Sequence, residues 1–380
     1  MQVFEIKPRV IFGENSLSSL GDLAKGRVAI FTDSFGERSG TAARIAELLV
    51  NAGEINVYSD IKPDPSVEMV AKAADFLKEA RPDTVIALGG GSVIDATKAT
   101  LLTYTKISGA RLPLIAVPTT SGTGSEVTKF AVITDTEAGV KYPLVSDDLL
   151  PEVAVLSREL TSSVPPAITA DTGFDVLTHA LEAYISTGAN DFTDAFCEKA
   201  LTLAFAYLPT ACKNGKDPVA REKMHTASCL AGMAFNDASL GVNHGIAHAL
   251  GACFHIPHGR ANAMLLPHVL RFNAELDRPY KKEIPEVQVK LAHIARIVGL
   301  PCYSPRVGTE NLIGHIEKMA KELGIPRKLG DAGVTRADYK KFKTHILESA
   351  VKDACTATNP RAVNTKAVER ILEGLEQFVK

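Results

Sequence analysis

At 380 residues, with 46% hydrophobic residues and a formal net charge of −2, the chain is long enough for two well-buried cores and is ordinary for a soluble globular protein. No basic run favours nucleic acid or an anionic membrane: the longest positive clusters are the pairs Lys281, Lys282 and Lys340, Lys341, which read as solvated helix surface. The six cysteines, at 197, 212, 229, 253, 302 and 355, form no C-x-x-C pair, which argues against a disulfide framework and a thiolate zinc site and for small core residues.

The start, MQVFEIKPRVIFGEN, alternates like a strand and has no apolar run with a cleavage site, so a cytoplasmic protein is expected. Short apolar runs then alternate with helical patterns: RVAIFTD, INVYSD, DTVIALGGG and LPLIAVPTT end in Gly, Asp or Thr, with SVEMVAKAADFLKEA among the amphipathic stretches between them. Strands alternating with helices imply a largely parallel sheet, and ligands of such sheets bind beyond the carboxyl ends of the strands.

Three strand ends carry cofactor chemistry. Asp33 closes RVAIFTD, where a carboxylate can hydrogen-bond an adenosine ribose and repel a 2′-phosphate, favouring NAD over NADP; the same aspartate also fits a turn or helix cap before SFGER. TVIALGGGSVIDATKA reads as a buried strand, then Gly89, Gly90 and Gly91, then a helix opened by Ser92. Bare backbone N–H groups at a helix start suit a pyrophosphate, although this is neither G-x-G-x-x-G nor a Walker A loop. The next strand runs through Thr119 and Thr120 into SGTGSEVT, a second Gly- and hydroxyl-rich loop at the same end of the sheet. Two neighbouring loops of this kind favour a dinucleotide.

After SSVPPAITADTG the texture changes to long 3.6-period segments that run to a last helix, TKAVERILEGLEQFVK. The expected organisation is an α/β dinucleotide-binding domain with a mainly parallel sheet over residues 1–162 and an all-helical metal and substrate domain over residues 163–380. In the helical part, Asp175 and His179 are spaced i,i+4 in DVLTHALEAY, His244 and His248 repeat that spacing in HGIAHALG, and His258 follows in HIPHG at a helix break. Each pair shares a helix face. One carboxylate with imidazoles is a good donor set for zinc or ferrous iron, so Asp175, His179, His244 and His258 are the candidate ligands, with His248 beside them.

GGGSVIDATKA, PTTSGTGSEVT, TGFDVLTHALEAY, AGMAFNDASLGVNHGIAHALG, PHGRANAMLLPHVLRFN and DACTATNPR together resemble the iron-containing alcohol dehydrogenases, in the order of that family and over essentially the whole chain. Through VKYPL, VPPAITADTGFDVLTHALEAY, DFTDA and FHIPHG, the chain is most similar to the branch of 1-propanol dehydrogenases associated with propanediol-using bacterial microcompartments. The resemblance implies a dehydroquinate-synthase-like architecture, NAD, and a divalent metal, Fe2+ with Zn2+ as the alternative. It places the ligands on Asp175, His179, His244 and His258, with His248 near the substrate, and the cofactor on Gly89, Gly90, Gly91, Ser92, Thr119, Thr120, Thr123, Thr128 and Lys141. It further puts Phe130, Phe235 and Cys355 around the substrate. Also implied are a homo-oligomer, a dimer, and microcompartment enzymes or shell as partners. The familiar histidine motif departs here at Asn243 and Ala249, and His255 adds an imidazole close to the metal loop.

The implied reaction moves a hydride between NAD(H) and a short primary alcohol or aldehyde such as 1-propanol or propanal. His248 is the candidate proton relay because an imidazole titrates near working pH, and a relay through ribose hydroxyls and water is the alternative. Lactaldehyde reduction is the nearest rival activity. A dehydroquinate-synthase-like cyclase is the rival class, but its phosphate-bearing substrate calls for basic residues where GMAF, LGACF and ANAMLLP are apolar.

Overall fold

Runs of β-branched and aliphatic residues form strands where both faces can be covered, and the amino-terminal part of this chain supplies them in alternation with helices. The computed structural model describes residues 4–136, 140–279 and 283–378, together with the backbone but not the side chains of 140 and 141. It divides into two compact units, Met1–Ser163 and Val164–Lys380. Lys281 and Lys282 lie outside the described residues, whereas Lys340 and Lys341 are exposed. Among the described residues no helix is long and apolar enough to cross a membrane.

The first unit runs β1 (Arg9–Phe12), α1 (Leu20–Leu23), β2 (Gly26–Asp33), α2 (Ser34–Arg38), α3 (Thr41–Leu48), β3 (Ala52–Ile61), α4 (Val67–Ala80), β4 (Thr84–Gly89), α5 (Gly91–Ser108), β5 (Leu114–Pro118), β6 (Phe130–Asp135), β7 (Val140–Val145), β8 (Val153–Leu156) and α6 (Arg158–Thr161). Six strands make a parallel sheet in the order β1-β8-β5-β4-β2-β3. Alternate residues cover its two faces: Val28, Ile30, Ile86 and Leu88 pack with Leu20 and Ile45, while Ala29, Phe31, Val85 and Ala87 pack with Leu77 and Ile94. From β2 the chain crosses to β3 on one side, then returns to β4 on the other and continues outward to β5. The order therefore reverses at the β2/β4 pair, where open α/β sheets bind ligands beyond their carboxyl ends.

One element differs from the sequence expectation of a mainly parallel sheet in this region: β6 and β7 form a separate antiparallel ribbon, Phe130 opposite Val145. Its anchor is Lys98, buried on α5, whose Nζ donates to the carbonyls of Thr128 at 2.7 Å and Phe130 at 2.9 Å. An extended chain turns every second carbonyl to the same side, so one ammonium reaches both. On the preceding turn of α5, half-buried Asp95 accepts from Ser125 Oγ at 2.5 Å and from the Val132 N–H at 3.0 Å. Burial pulls the Lys98 ammonium down to about 8, against the charges of Asp95 and Glu126.

The second unit runs α7 (Pro166–Ile185), α8 (Asp191–Lys213), α9 (Pro218–Ala238), α10 (Val242–Phe254), α11 (His258–Asn273), α12 (Glu286–Ile297), α13 (Pro305–Glu322), α14 (Arg336–Lys352) and α15 (Thr365–Glu373). Pro165 and Pro166 open α7, Pro166 standing at the first helical position, where its missing N–H costs nothing. Nearly every side chain of α7 is buried, as expected of a helix that is apolar on all sides. The last helix stops at Glu373, earlier than TKAVERILEGLEQFVK suggests. Beyond it the carbonyls of Leu375 and Gln377 accept the N–H groups of Leu329 and Gly330, a tie that a continued helix would forbid.

Removing the Lys98 ammonium leaves two carbonyls without their cation in a buried site, which costs about 3–5 kcal/mol. Lys98→Met is expected to lower stability by that amount, read as a fall in the urea midpoint; an unchanged midpoint would mean that Lys98 is not the anchor.

Candidate metal centre and cofactor loops

Asp175 and His179 lie one helical turn apart on α7, His244 opens α10, and His258 is the first residue of α11 after the Pro257 break. One donor atom from each of these four residues falls within 4.8 Å of the others. Asp175 Oδ1 is 3.5 Å from His258 Nε2 and 3.9 Å from His244 Nε2. Donors sharing one tetrahedral ion with bonds of about 2.0–2.1 Å stand roughly 3.4 Å apart, close to the Asp175–His258 separation.

The lone pairs already converge. Asn262 Nδ2 donates to Asp175 Oδ1 at 2.7 Å and lies 3.1 Å from both His244 Nε2 and His258 Nε2. Its amide orientation follows from Asn243, whose Nδ2 donates to Asn262 Oδ1 at 2.9 Å and so turns the Asn262 NH2 toward the ligands. Two amide protons thus face three acceptors, an arrangement that a divalent cation satisfies better than an amide can.

Glu182, one turn beyond His179 on the same stripe of α7, was not singled out from sequence. Its carboxylate accepts the N–H groups of Asn243 at 2.7 Å and His244 at 3.3 Å and lies 2.5 Å from His244 Nδ1. Burial pushes the carboxyl up to about 8, with the backbone N–H groups opposing that rise. Burial also holds His244 well below its ordinary value, as do the neighbouring imidazoles. The pair shares one proton on the Nδ1 side, leaving Nε2 directed at Asp175, and a carboxylate behind a ligating histidine sets ring orientation and basicity in this way.

His248, one turn after His244, stands outside the four-donor group. Its Nδ1 is 2.8 Å from Asp353 Oδ2, and its ring stacks on His258 with centroids 5.3 Å apart. Burial alone would raise Asp353, but the hydrogen bond and charge of His248 outweigh it and hold the carboxyl below its usual range. Gly245 makes this contact possible: a Cβ there would lie 2.2 Å from Thr356 Oγ1 and 3.3 Å from Asp353 Cβ. Phe235 stacks on His179 at 4.5 Å, and Cys355 joins His248 and Asp353 in a second group of close donors. His255 is exposed at the end of α10, in a left-handed conformation, and takes no part in either group.

Among the cofactor candidates, Asp33, Gly89 and the Thr119–Thr120 turn follow three adjacent strands, with Phe31 paired to Ala87 and Gly89 to Pro118. Gly90 and Gly91 start α5 without a side-chain cap, and Ser92 follows in its first turn. The two loops pack on each other: a Cβ on Gly91 would lie 2.6 Å from Thr123 Cγ2, and one on Gly90 3.3 Å from Thr120 Oγ1. Thr128 is buried, its hydroxyl 3.3 Å from Lys98 Nζ, so it faces the anchor beneath the loop. Lys141 lies on β7 opposite Thr134, its side chain outside the described residues. Asp33 Oδ1 caps α2, accepting from Phe35 and Gly36, and the other carboxylate oxygen is not used in that cap. Phe130 is half-buried at the start of β6.

Substituting Asp175, His179 or His258 with Ala is expected to remove bound metal and activity together, whereas His248→Ala keeps the metal; elemental analysis of each variant decides the assignment. Gly259→Ala supplies an independent test, since its Cβ would lie 2.2 Å from the Asp171 carbonyl and force α11 away from α7. A loss of metal affinity of about tenfold or more is expected, and full affinity in that variant would refute the tight approach.

The sequence profile of the iron-containing alcohol dehydrogenases matches residues 7–158, and that of the family's carboxy-terminal part matches residues 169–375. The chain is 42% identical to the 1-propanol dehydrogenase PduQ of Citrobacter freundii, over 99% of this chain and 100% of that one. It is 37% identical to an NADPH-dependent butanol dehydrogenase of Clostridium saccharobutylicum, over 98% and 97% of the two chains. Its fold superposes with a TM-score of 0.84 on a sulfoacetaldehyde reductase from Bifidobacterium kashiwanohense solved in complex with NAD+, at 28% identity over 99% and 98% of the chains. With its helical cluster of one aspartate and three histidines and its parallel sheet, the chain belongs to the iron-containing alcohol dehydrogenase family.

Proposed function

We propose that this enzyme interconverts short primary alcohols and aldehydes, 1-propanol and propanal foremost, using NAD(H) and a ferrous ion held by Asp175, His179, His244 and His258. The convergence of these four donors within 4.8 Å, backed by Glu182 and Asn262, is the observation that carries the reading. A bound divalent ion supplies Lewis acidity to the carbonyl oxygen, and the nicotinamide supplies or takes the hydride.

The chain's own part is orientation and proton management. With Nδ1 committed to Asp353, His248 exchanges a proton at Nε2, taking it from an alcohol on oxidation and returning it on aldehyde reduction. Stacked rings at His179, His244 and Phe235 restrict rotation of the ligands. In the first unit the start of α5 offers backbone N–H groups to a pyrophosphate, with Gly91 and Thr123 keeping the two loops together. The identity with PduQ favours propanal, and the sequence resemblance makes a homodimer in a bacterial microcompartment, among its enzymes or shell, the setting to examine first. Anaerobic reconstitution with Fe2+, followed by NADH consumption with propanal, tests the whole reading; a metal-loaded protein inert toward propanal and its homologues would overturn it.

Asp33 is expected to favour NADH over NADPH. Asp33→Asn keeps the helix cap but removes the charge that repels a 2′-phosphate, so the preference should narrow by about tenfold or more. Equal efficiency of the wild-type enzyme with both cofactors would remove the argument.

Phe130 decides between propanal and lactaldehyde. A phenyl ring offers no partner to a second hydroxyl, and a buried hydroxyl without a partner costs about 1–3 kcal/mol, roughly tenfold to a hundredfold in discrimination. Propanal is expected to show the higher kcat/KM, and Phe130→Asn to shift the ratio toward lactaldehyde. A wild-type preference for lactaldehyde, or an unchanged ratio in the variant, contradicts the assignment.

A further inference from the structure

His248, Asp353 and Cys355 each offer one donor atom within 4.8 Å of the other two, a group separate from the four ligands beside it. Two close approaches assemble it. Gly245 lets the turn Ala354–Thr358 press against α10, and the Cys355 N–H donates to Asp353 Oδ1 at 2.8 Å, which turns Oδ2 toward His248 Nδ1 at 2.8 Å. None of the three is sealed off: the side chains of His248 and Asp353 keep 17% and 13% of their surface, and Cys355 is half-buried.

We propose that this trio is a second divalent-cation site, selective for zinc-like ions that accept thiolate, and that its occupation inhibits the enzyme. The donor chemistry differs from that of the first cluster. A carboxylate and a thiolate together neutralise the two charges of the ion, and the imidazole completes a three-donor set with an open position. Binding releases the thiol proton of Cys355 to solvent, and the ring proton that His248 shares with Asp353 passes to Nε2 as Nδ1 takes the ion. Sulfur favours zinc over harder ions, whereas the first cluster offers only nitrogen and oxygen. With Nδ1 on the ion and the ring's one proton on Nε2, His248 has no lone pair to take a proton from an alcohol, so excess zinc stops turnover without displacing the metal of the first site. This consequence rests on the role of His248 under the proposed function, but the site itself does not.

Cobalt(II) separates the two sites by their spectra. Titrated into the metal-stripped full chain, the first equivalent should fill the nitrogen and oxygen cluster and show only ligand-field bands. The second should add a near-ultraviolet sulfur-to-cobalt charge-transfer band. Cys355→Ser is expected to abolish that band and to raise the zinc concentration needed for half-inhibition of the iron-loaded enzyme by about tenfold or more. Asp353→Asn, which keeps the cysteine and the side-chain shape, should weaken the second binding step while retaining sulfur ligation. A wild-type protein with no charge-transfer band in excess cobalt, a band that survives Cys355→Ser, or an unchanged second step in Asp353→Asn would each overturn the proposal. Failure of the first equivalent to bind counts against the four-ligand assignment instead, so the two readings fail separately.

Discussion

The helical unit depends on one buried carboxylate. Glu182 receives the first N–H groups of α10 and approaches the Nδ1 of His244 from the same side, so a single group docks a helix start and orients a ligand. A carboxylate beside a helix N-terminus is favoured by the helix dipole and by the unsatisfied donors of the first turn, and burial strengthens both effects. Gly241, just before α10, leaves the room: a Cβ there would lie 2.6 Å from Glu182 Oε1. Because Glu182 is on the same helix as Asp175 and His179, docking α10 on it brings the third ligand to the first two. The side chain that stabilises the packing also sets the geometry of the site.

The first unit uses the same device with the opposite sign. Lys98 gathers the carbonyls of Thr128 and Phe130 as Glu182 gathers N–H groups, and in both cases one buried ionisable side chain on a long helix fixes the segment packed against it. Such arrangements are costly to leave incomplete, since a charge or carbonyl without its partner loses its hydration and gains nothing. That cost gives a loop the definition of a regular element. The far end of the Thr119–Thr128 segment is therefore held by α5, while its near end packs on the glycine loop through Thr120 and Thr123.

The sequence shows the candidate ligands and conceals their supports, for a physical reason. Asp175, His179, His244 and His258 are legible because ligation demands particular residue types, and helix periodicity puts two pairs of candidates one turn apart. The strand ends at Asp33, Gly89 and Thr119 are legible for a similar reason, since alternating strands and helices leave few topologies. Glu182, Asn262, Asp353 and Lys98 act across elements far apart in the chain, so their partners cannot be read from local spacing. A signal did exist in two cases: Glu182 continues the stripe of Asp175 and His179, and Lys98 stands three residues after Asp95 in an otherwise apolar helix segment. Asp33 shows the limit of reading one role per residue, because its carboxylate caps α2 with one oxygen and is not used there by the other. The hairpin of β6 and β7 escaped because its first strand continues the cofactor loop without a break in composition.

Imidazoles crowd around His244, and their crowding suits a divalent ion better than a proton there. His179 and His244 stack at 4.6 Å and His248 and His258 at 5.3 Å. For His244, burial and those neighbours both act against the charged form. A divalent ion escapes this penalty, since it takes several lone pairs at once and is met by Asp175. Geometry contributes as well, since the Nε2 atoms of His244 and His258 both face the Asp175 carboxylate. His248, turned away to Asp353, is the imidazole whose proton remains available for exchange, and its separation from the ligands rests on the small Gly245 that lets the Asp353 turn approach.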